Sequence, residues 1–181
     1  MDKQYARAFF DIVKEDKTLN EAKDSFDVFV DVLKRENDFW SLLNSPQVKL
    51  DEKKEIIKKS FHECLSDFIL FIYVVLDNGR INRILEIYKE FIYLFNEENK
   101  IKVIEILSAS QLSSDEEERL YNSLRKCYEG YEVVIHNKID PKIIGGYHIL
   151  VNGVSIDLSV KRKINDLEYH VLTTKPSKEV Y

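Results

Sequence analysis

Apolar residues recur at helical spacing from the start of the chain to about residue 99, a pattern typical of helices that bury one face. It predicts six helices, near residues 3–15, 19–36, 38–44, 51–61, 64–77 and 81–98. Thr18 or Asn20 is expected to cap the second helix and Asp51 the fourth, because short polar side chains accept hydrogen bonds from free amides. Asn78-Gly79 is expected to end the fifth helix with a left-handed residue.

After Asn99 the pattern changes to short runs of β-branched residues, which predict strands at 102–107, 131–135, 147–151 and 154–157. Asn152-Gly153 separates the last two runs and predicts a hairpin. A helix is expected at 114–128, with Ser114 and Glu117 as its capping box. Another helix is expected at 160–172, followed by a frayed tail from about residue 173.

The predicted fold class is therefore α+β and mainly α. It places a six-helix bundle in residues 1–99 and a small α+β domain with a four-stranded sheet in residues 100–181.

An apolar share of 44% suffices for a core, and the scarcity of glycine (5) and proline (3) favours long helices. The net charge of −5 argues against binding to nucleic acid or to an anionic membrane. The most apolar run, 68–76, is shorter than the roughly 20 residues that a membrane helix needs. We expect no signal segment and no insertion into a bilayer.

Candidate chemistry is sparse. His62-Glu63-Cys64 has no second ligand pair at zinc spacing, so no metal is expected. Cys64 and Cys127 are expected to be buried, reduced thiols. Asp140 and Asp157 lie in turn and junction contexts, which favour structural roles over acid–base catalysis. Gly145-Gly146 lacks the residues of a phosphate loop. We therefore predict a non-catalytic protein without a cofactor.

The strongest positive signal is surplus apolar surface on two helices. The first helix carries one apolar row of Tyr5, Ala8, Phe9 and Ile12 beside a second row of Ala6, Phe10 and Val13. The fifth is apolar all round, from Phe68 to Leu76. Either these helices are surrounded by their own chain, or they share a groove for an amphipathic helix of a partner. The pattern alone does not separate the two explanations.

Several motifs resemble one known family along almost the whole chain. They are Gln4-Tyr5-Ala6-Arg7-Ala8, Asn78-Gly79-Arg80-Ile81 with Phe91-Ile92, Ser108-Ala109 with Leu112, Ile139-Asp140-Pro141, Ile144-Gly145-Gly146 and Ile156-Asp157-Leu158-Ser159-Val160. In this order and spacing they are similar to the ATP synthase delta subunit, the bacterial counterpart of the mitochondrial oligomycin-sensitivity-conferring protein. Leu158 departs from the glycine usual in the family.

The resemblance implies a peripheral-stalk subunit of the F-type ATP synthase, a clamp that links the catalytic head to the membrane sector and resists rotor torque. It implies that residues 1–99 bind the N-terminal helix of an alpha subunit between the first and fifth helices, and that residues 100–181 bind the C-terminal ends of the b subunits. It further implies a peripheral location on the cytoplasmic face of a bacterial inner membrane. The partner-binding residues carried over are Tyr5, Ala8, Phe9, Ile12, Phe71, Val74, Val75 and Asp77.

A second set of residues is interpreted as structural: Asn78, Gly79, Arg80, Asp140, Gly145, Gly146, Asp157 and Ser159. Two alternatives to the stalk function stay open at this point. One is a helix-binding scaffold of another assembly. The other is an RNA-binding helical bundle, which would need a basic stripe with interleaved aromatic residues.

Overall fold

A computed structural model describes residues 2–143 and 145–151, and the backbone of residues 154–159. The predicted helix at 160–172, the tail from about residue 173 and the Asn152-Gly153 turn lie outside the described residues. The helices are α1 Asp2–Glu15, α2 Leu19–Arg35, α3 Asn37–Asn44, α4 Leu50–Ser60, α5 Ser66–Asp77, α6 Ile84–Glu98 and α7 Ser114–Cys127, with a short 3-10 helix at Ile81–Arg83. The strands are β1 Ile101–Ser108, β2 Glu132–Ile139, β3 Gly146–Val151 and β4 Val154–Ser159.

The described strands form one sheet in the order β2-β1-β3-β4. β1 and β2 are parallel, with α7 as the crossover between them, whereas β3 is antiparallel to both β1 and β4. Val151 lies opposite Val154, which leaves two residues to connect β3 to β4, as a tight hairpin requires. The predicted α+β class, mainly α, is confirmed.

The chain divides into two compact units between Glu98 and Asn99. The first, which we call the helical unit, has a core rich in phenylalanine. Phe26, Phe29, Phe68 and Phe91 have no exposed surface, and Phe26 lies with its ring centroid 5.1–5.5 Å from those of Phe68 and Phe91. Aromatic pairs at such separations contribute about 0.5–1.5 kcal/mol beyond the burial of their area.

The second unit, which we call the sheet unit, has a smaller core on the face of the sheet toward α7. Ile104 and Ile106 of β1, Val133 of β2, and Ile149 and Val151 of β3 are buried there. From α7, Leu120, Leu124 and Tyr128 pack against this core at helical spacing, although no residue of α7 is itself buried. The helix therefore covers the sheet with one narrow apolar stripe.

Thr18 occupies the predicted N-cap position of α2 but its side chain does not cap the helix, and the predicted caps at Asn20 and Asp51 are wrong. The hydroxyl of Thr18 donates a 3.5 Å hydrogen bond back to the carbonyl of Val13, and Asn20 lies inside α2. The fourth helix begins one residue before Asp51, whose charge then suits the positive end of the helix dipole without capping it.

The capping box of α7 lies one residue earlier than predicted. Ser113 is the cap: its hydroxyl accepts from the amide of Glu116 at 3.4 Å, while the carboxylate of Glu116 accepts from the amide of Ser113 at 3.0 Å. The amide and the hydroxyl of Ser113 both donate to this carboxylate, which lowers the pKa of Glu116. The hydroxyl of Tyr147 donates to the same carboxylate at 3.0 Å, tying β3 to the start of α7.

Candidate partner-binding surface

The two apolar rows of α1 have different environments. Ala6, Phe9, Phe10 and Val13 are buried, Tyr5 is half-buried, and Ala8 and Ile12 are exposed. The helix therefore buries one apolar face in its own unit and leaves part of a second apolar face in solvent. This accounts for an apolar arc wider than one core requires.

Within the described residues, α5 is buried on only part of its circumference. Phe68, Phe71, Ile72, Val75 and Leu76 are buried, but Leu70 is 59% exposed and Val74 is 49% exposed. These two residues are four positions apart, so they lie on the same side of α5. An apolar strip thus faces solvent on the helix that is otherwise the most apolar of the chain.

A stacked pair of phenylalanines connects the two exposed strips. The rings of Phe9 and Phe71 lie 4.4 Å apart between centroids, with 17° between their planes. Tyr5 and Ile12 are four and three positions from Phe9, and Ala8 is four positions from Ile12, so these three residues share the side of α1 next to the stack. Val74 is three positions from Phe71 on α5. We call the resulting patch the α1–α5 surface, and it consists of Tyr5, Ala8, Ile12, Leu70 and Val74.

Burial divides the residues that the sequence predicts to bind a partner into two groups. Phe9 and Val75 belong to the core, as does Phe71, because each points between helices instead of outward. They support the surface from below and are not accessible to a partner. Leu70 was not among the predicted residues, although its spacing from Val74 within an all-apolar helix indicates that it shares the exposed strip.

Asp77 lies at the end of α5 and is engaged with α4. Its carboxylate is 2.6 Å from the ammonium of Lys54, which also lies 5.5 Å from the ring centroid of Tyr73. The hydroxyl of Tyr73 donates to the carbonyl of Lys54 at 3.2 Å. Asp77 therefore places a partly exposed, paired charge at the end of the apolar strip.

The Asn78-Gly79-Arg80 segment ends α5 with a Schellman motif. Gly79 has a φ of +64°, and its amide donates to the carbonyl of Leu76 at 2.9 Å. The amide of Arg80 donates to the carbonyl of Val75, also at 2.9 Å. These two bonds satisfy carbonyls that the end of a helix leaves free, and they redirect the chain into the 3-10 helix before α6.

Among the residues of the sheet unit that the sequence predicts to be structural, Asp140, Gly145, Gly146 and Ser159 lie in turns or at strand ends. Asp157 lies within β4 and not at the predicted junction. Asp140 closes the turn after β2, since its carboxylate accepts from the amide of Lys142 at 3.0 Å and its carbonyl from that of Ile143. Gly146 begins β3 with a φ of +81°, a conformation that favours glycine. Gly145 lies in the bend before it. In the β4 backbone, Asp157 is opposite His148 and Ser159 is opposite Gly146.

The described residues hold no group of three or more His, Cys, Asp or Glu side chains placed to bind a metal ion. Both cysteines are free thiols. The prediction of buried thiols is wrong for Cys127, which is exposed, while Cys64 is half-buried and its burial raises its pKa. Within the part of the chain that the structure describes, no helix is long and apolar enough to cross a membrane.

Comparisons with known proteins agree along nearly the full length. The family described as "ATP synthase delta (OSCP) subunit" matches residues 1–171. The chain is similar to an ATP synthase subunit delta of Desulforudis audaxviator, with 33% identity covering 95% of this chain and 94% of the relative. One from Clostridium kluyveri is 29% identical, covering 93% of both chains. A chain in a cryo-EM structure of the Toxoplasma gondii mitochondrial ATP synthase hexamer has the same fold, with a TM-score of 0.81 at 15% identity, over 97% of this chain and 99% of that one.

These matches define the class of the protein as a non-catalytic component of the F-type ATP synthase complex. The chain belongs to the ATP synthase delta (OSCP) subunit family, and it is a peripheral-stalk subunit that links the catalytic head to the membrane sector and resists rotor torque. It is peripheral on the membrane complex.

Proposed function

We propose that the helical unit of this stator subunit receives the N-terminal helix of an alpha subunit on the α1–α5 surface. The observation that carries the proposal is the exposure of Leu70 and Val74 beside Ala8 and Ile12, above the stacked rings of Phe9 and Phe71. A soluble helix gains by covering such a strip with its own apolar face. Ala8 lets the partner's backbone approach closely because its side chain is small.

The exposed apolar side chains of the surface make a favourable contribution to docking. Burying a Val, Leu or Ile side chain completely is worth about 1.5–3 kcal/mol. Ile12, Leu70 and Val74 each keep about half of their surface exposed, so each contributes roughly half of that value on docking. The floor of the surface is already packed, so its residues lose little conformational freedom on binding.

We further propose that the sheet unit binds the C-terminal ends of the b subunits, so that the chain joins the two halves of the stalk. The division of the chain between Glu98 and Asn99 supports this assignment of one partner to each unit. With the alpha subunit as partner, the protein lies on the cytoplasmic face of a bacterial plasma membrane, where the catalytic head is located.

Calorimetry with a peptide of the alpha-subunit N-terminus tests the first proposal, with Val74→Asp as the variant and Val28→Asp as its control. Val28 lies on α2 and is 52% exposed, close to the 49% of Val74. The two substitutions therefore match in chemistry and in the exposure of the replaced side chain. Val74→Asp is expected to weaken binding at least about 30-fold, since it removes apolar contact and buries a charge. Val28→Asp should leave binding unchanged, and equal losses in both variants would refute the site.

A further inference from the structure

The outer edge of β2 presents backbone groups that do not bond β1. The amide of Glu132 donates to the carbonyl of Lys100 at 2.7 Å, and that of Asp140 to the carbonyl of Ser108 at 2.9 Å. In a parallel pair the residues that bond a neighbour alternate with residues that point away from it. The even-numbered residues of β2 therefore bond β1, and the amides and carbonyls of Val133, Ile135, Asn137 and Ile139 point away from it.

β2 ends the sheet order on its side, so within the described residues no strand pairs with these outward groups. The strand is eight residues long, and Ile139 near its end is 56% exposed. A long edge strand with an exposed apolar residue is the feature that natural sheets usually protect with charges, proline or a bulge. The described β2 has no proline, and its one lysine, Lys138, is paired with Glu105 at 3.0 Å.

A groove of about 490 Å³ runs beside this edge, between β2 and α7. Val133 and Ile135 form its floor, and the exposed ring of Tyr121 forms an apolar part of its wall. Glu117 and Glu118 of α7 line the remaining rim. No lysine or arginine lines the groove among the described residues.

We propose that the edge of β2 and the α7–β2 groove bind an extended basic segment of the b-subunit ends, which adds a strand to the sheet. The inference rests on the proposed function of the sheet unit and names its surface. The free backbone groups select an extended segment because they pair with another backbone. The carboxylates of Glu117 and Glu118 select lysine or arginine on the face toward α7, where the aliphatic part of such a side chain covers Val133 and Tyr121.

The test is binding of the soluble C-terminal region of the b subunit of the same organism to the full chain, followed by amide hydrogen exchange. Strand addition is expected to slow exchange at least about tenfold at Val133, Ile135, Asn137 and Ile139, because each gains a partner strand. The even-numbered amides, already bonded to β1, should change much less. Only a strand pairing along this edge produces such an alternating pattern.

A charge reversal supplies a second readout that does not endanger the fold. Glu117→Lys should weaken binding about 3- to 10-fold, on the scale of an exposed ion pair lost and replaced by repulsion. Asp115→Lys is the matched control, since it makes the same change in the same exposed first turn of α7 but does not line the groove. Equal effects in both variants, or binding without alternating protection, would refute binding along the edge of β2 and the α7–β2 groove. Neither result would contradict the proposal that the sheet unit binds the b subunits. Failure of the unmodified chain to bind the b subunit would overturn both proposals.

Discussion

The ring of Phe9 stacks on that of Phe71, with 4.4 Å between the centroids and 17° between the planes. This pair joins α1 to α5 beneath the α1–α5 surface. Phe9 also lies within 6.3 Å, between ring centroids, of Phe26, Phe68 and Phe91. The stack therefore belongs to the core of the helical unit and supports the proposed binding surface at the same time.

Truncation of the stacked ring should destabilise the helical unit strongly. We expect Phe9→Ala to lower the free energy of unfolding by about 3–5 kcal/mol, the usual cost of removing a buried phenylalanine. Tyr93→Ala is the control, because Tyr93 is an exposed aromatic residue of α6 and its truncation should cost less than about 1 kcal/mol. Urea denaturation followed by circular dichroism measures both, and similar losses would show that the stack contributes little.

The turn after α5 should depend on glycine for reasons of backbone conformation alone. Gly79 has a φ of +64°, and a Cβ added there would meet no atom within 4 Å. Gly79→Ala is therefore expected to cost about 1–2 kcal/mol, the penalty for an L-residue in the left-handed region. The fluorescence of Trp40, the one tryptophan of the chain, reports on the helical unit.

Gly130→Ala provides the comparison for this substitution. Gly130 has a φ of +85° and equally open surroundings, but it lies in the sheet unit. Gly130→Ala should leave the unfolding transition reported by Trp40 unchanged, whereas Gly79→Ala should shift that transition to a lower denaturant concentration. A Trp40 transition that moves equally in both variants would contradict separate unfolding of the two units.

Alkaline pH should destabilise the helical unit through Tyr88. Burial, the 2.6 Å hydrogen bond from its hydroxyl to Asp27, and the charges of Asp27 and Asp31 raise the pKa of Tyr88 above its ordinary value of 10.0. A raised pKa means that the folded state holds its proton more tightly than the unfolded state, so this contribution is present below pH 10 and falls as pH rises further.

The measurement compares wild type with Tyr88→Phe in urea at pH 8 and at pH 11. The free energy of unfolding should fall more between pH 8 and pH 11 in wild type than in the variant. At pH 11 the unfolded wild-type chain loses the proton of Tyr88 that the folded state holds, and the variant has no such proton. The other tyrosines affect both proteins alike. Equal falls would mean that Tyr88 titrates alike in the folded and unfolded states.

Periodicity was sufficient to locate the helices and strands of the described residues, although β2 runs four residues beyond its predicted end. It was not sufficient to locate the helix caps. Ser113 with Glu116 and Ser114 with Glu117 have the same capping-box spacing, and only the conformation of the chain entering the helix selects the first pair. Thr18 could not be assigned from sequence either, because its hydroxyl bonds the carbonyl of the preceding helix. Such choices depend on neighbours that local sequence does not reveal.

The same limit applies to the candidate site. The sequence showed that α1 and α5 carry more apolar surface than one core needs, but not which residues face outward. Phe9 and Ile12 are three positions apart in one apolar row, yet Phe9 is buried and Ile12 is exposed. The edge of the surface lies between them, and it is set by where α5 packs against α1. That contact is tertiary and has no signature in a single helix.

The most direct test of the α1–α5 surface is Ala8→Asp, measured by thermal unfolding and by calorimetry with the alpha-subunit peptide. Ala8 is exposed, so the melting temperature should stay within a few degrees of wild type, corresponding to less than about 1 kcal/mol. Peptide binding should be abolished, because the new carboxylate would be buried without a partner beneath the docked helix. A collapsed melting transition would show that Ala8 belongs to the core, and peptide binding at wild-type strength would show that the helix docks elsewhere; either result would contradict the proposed site.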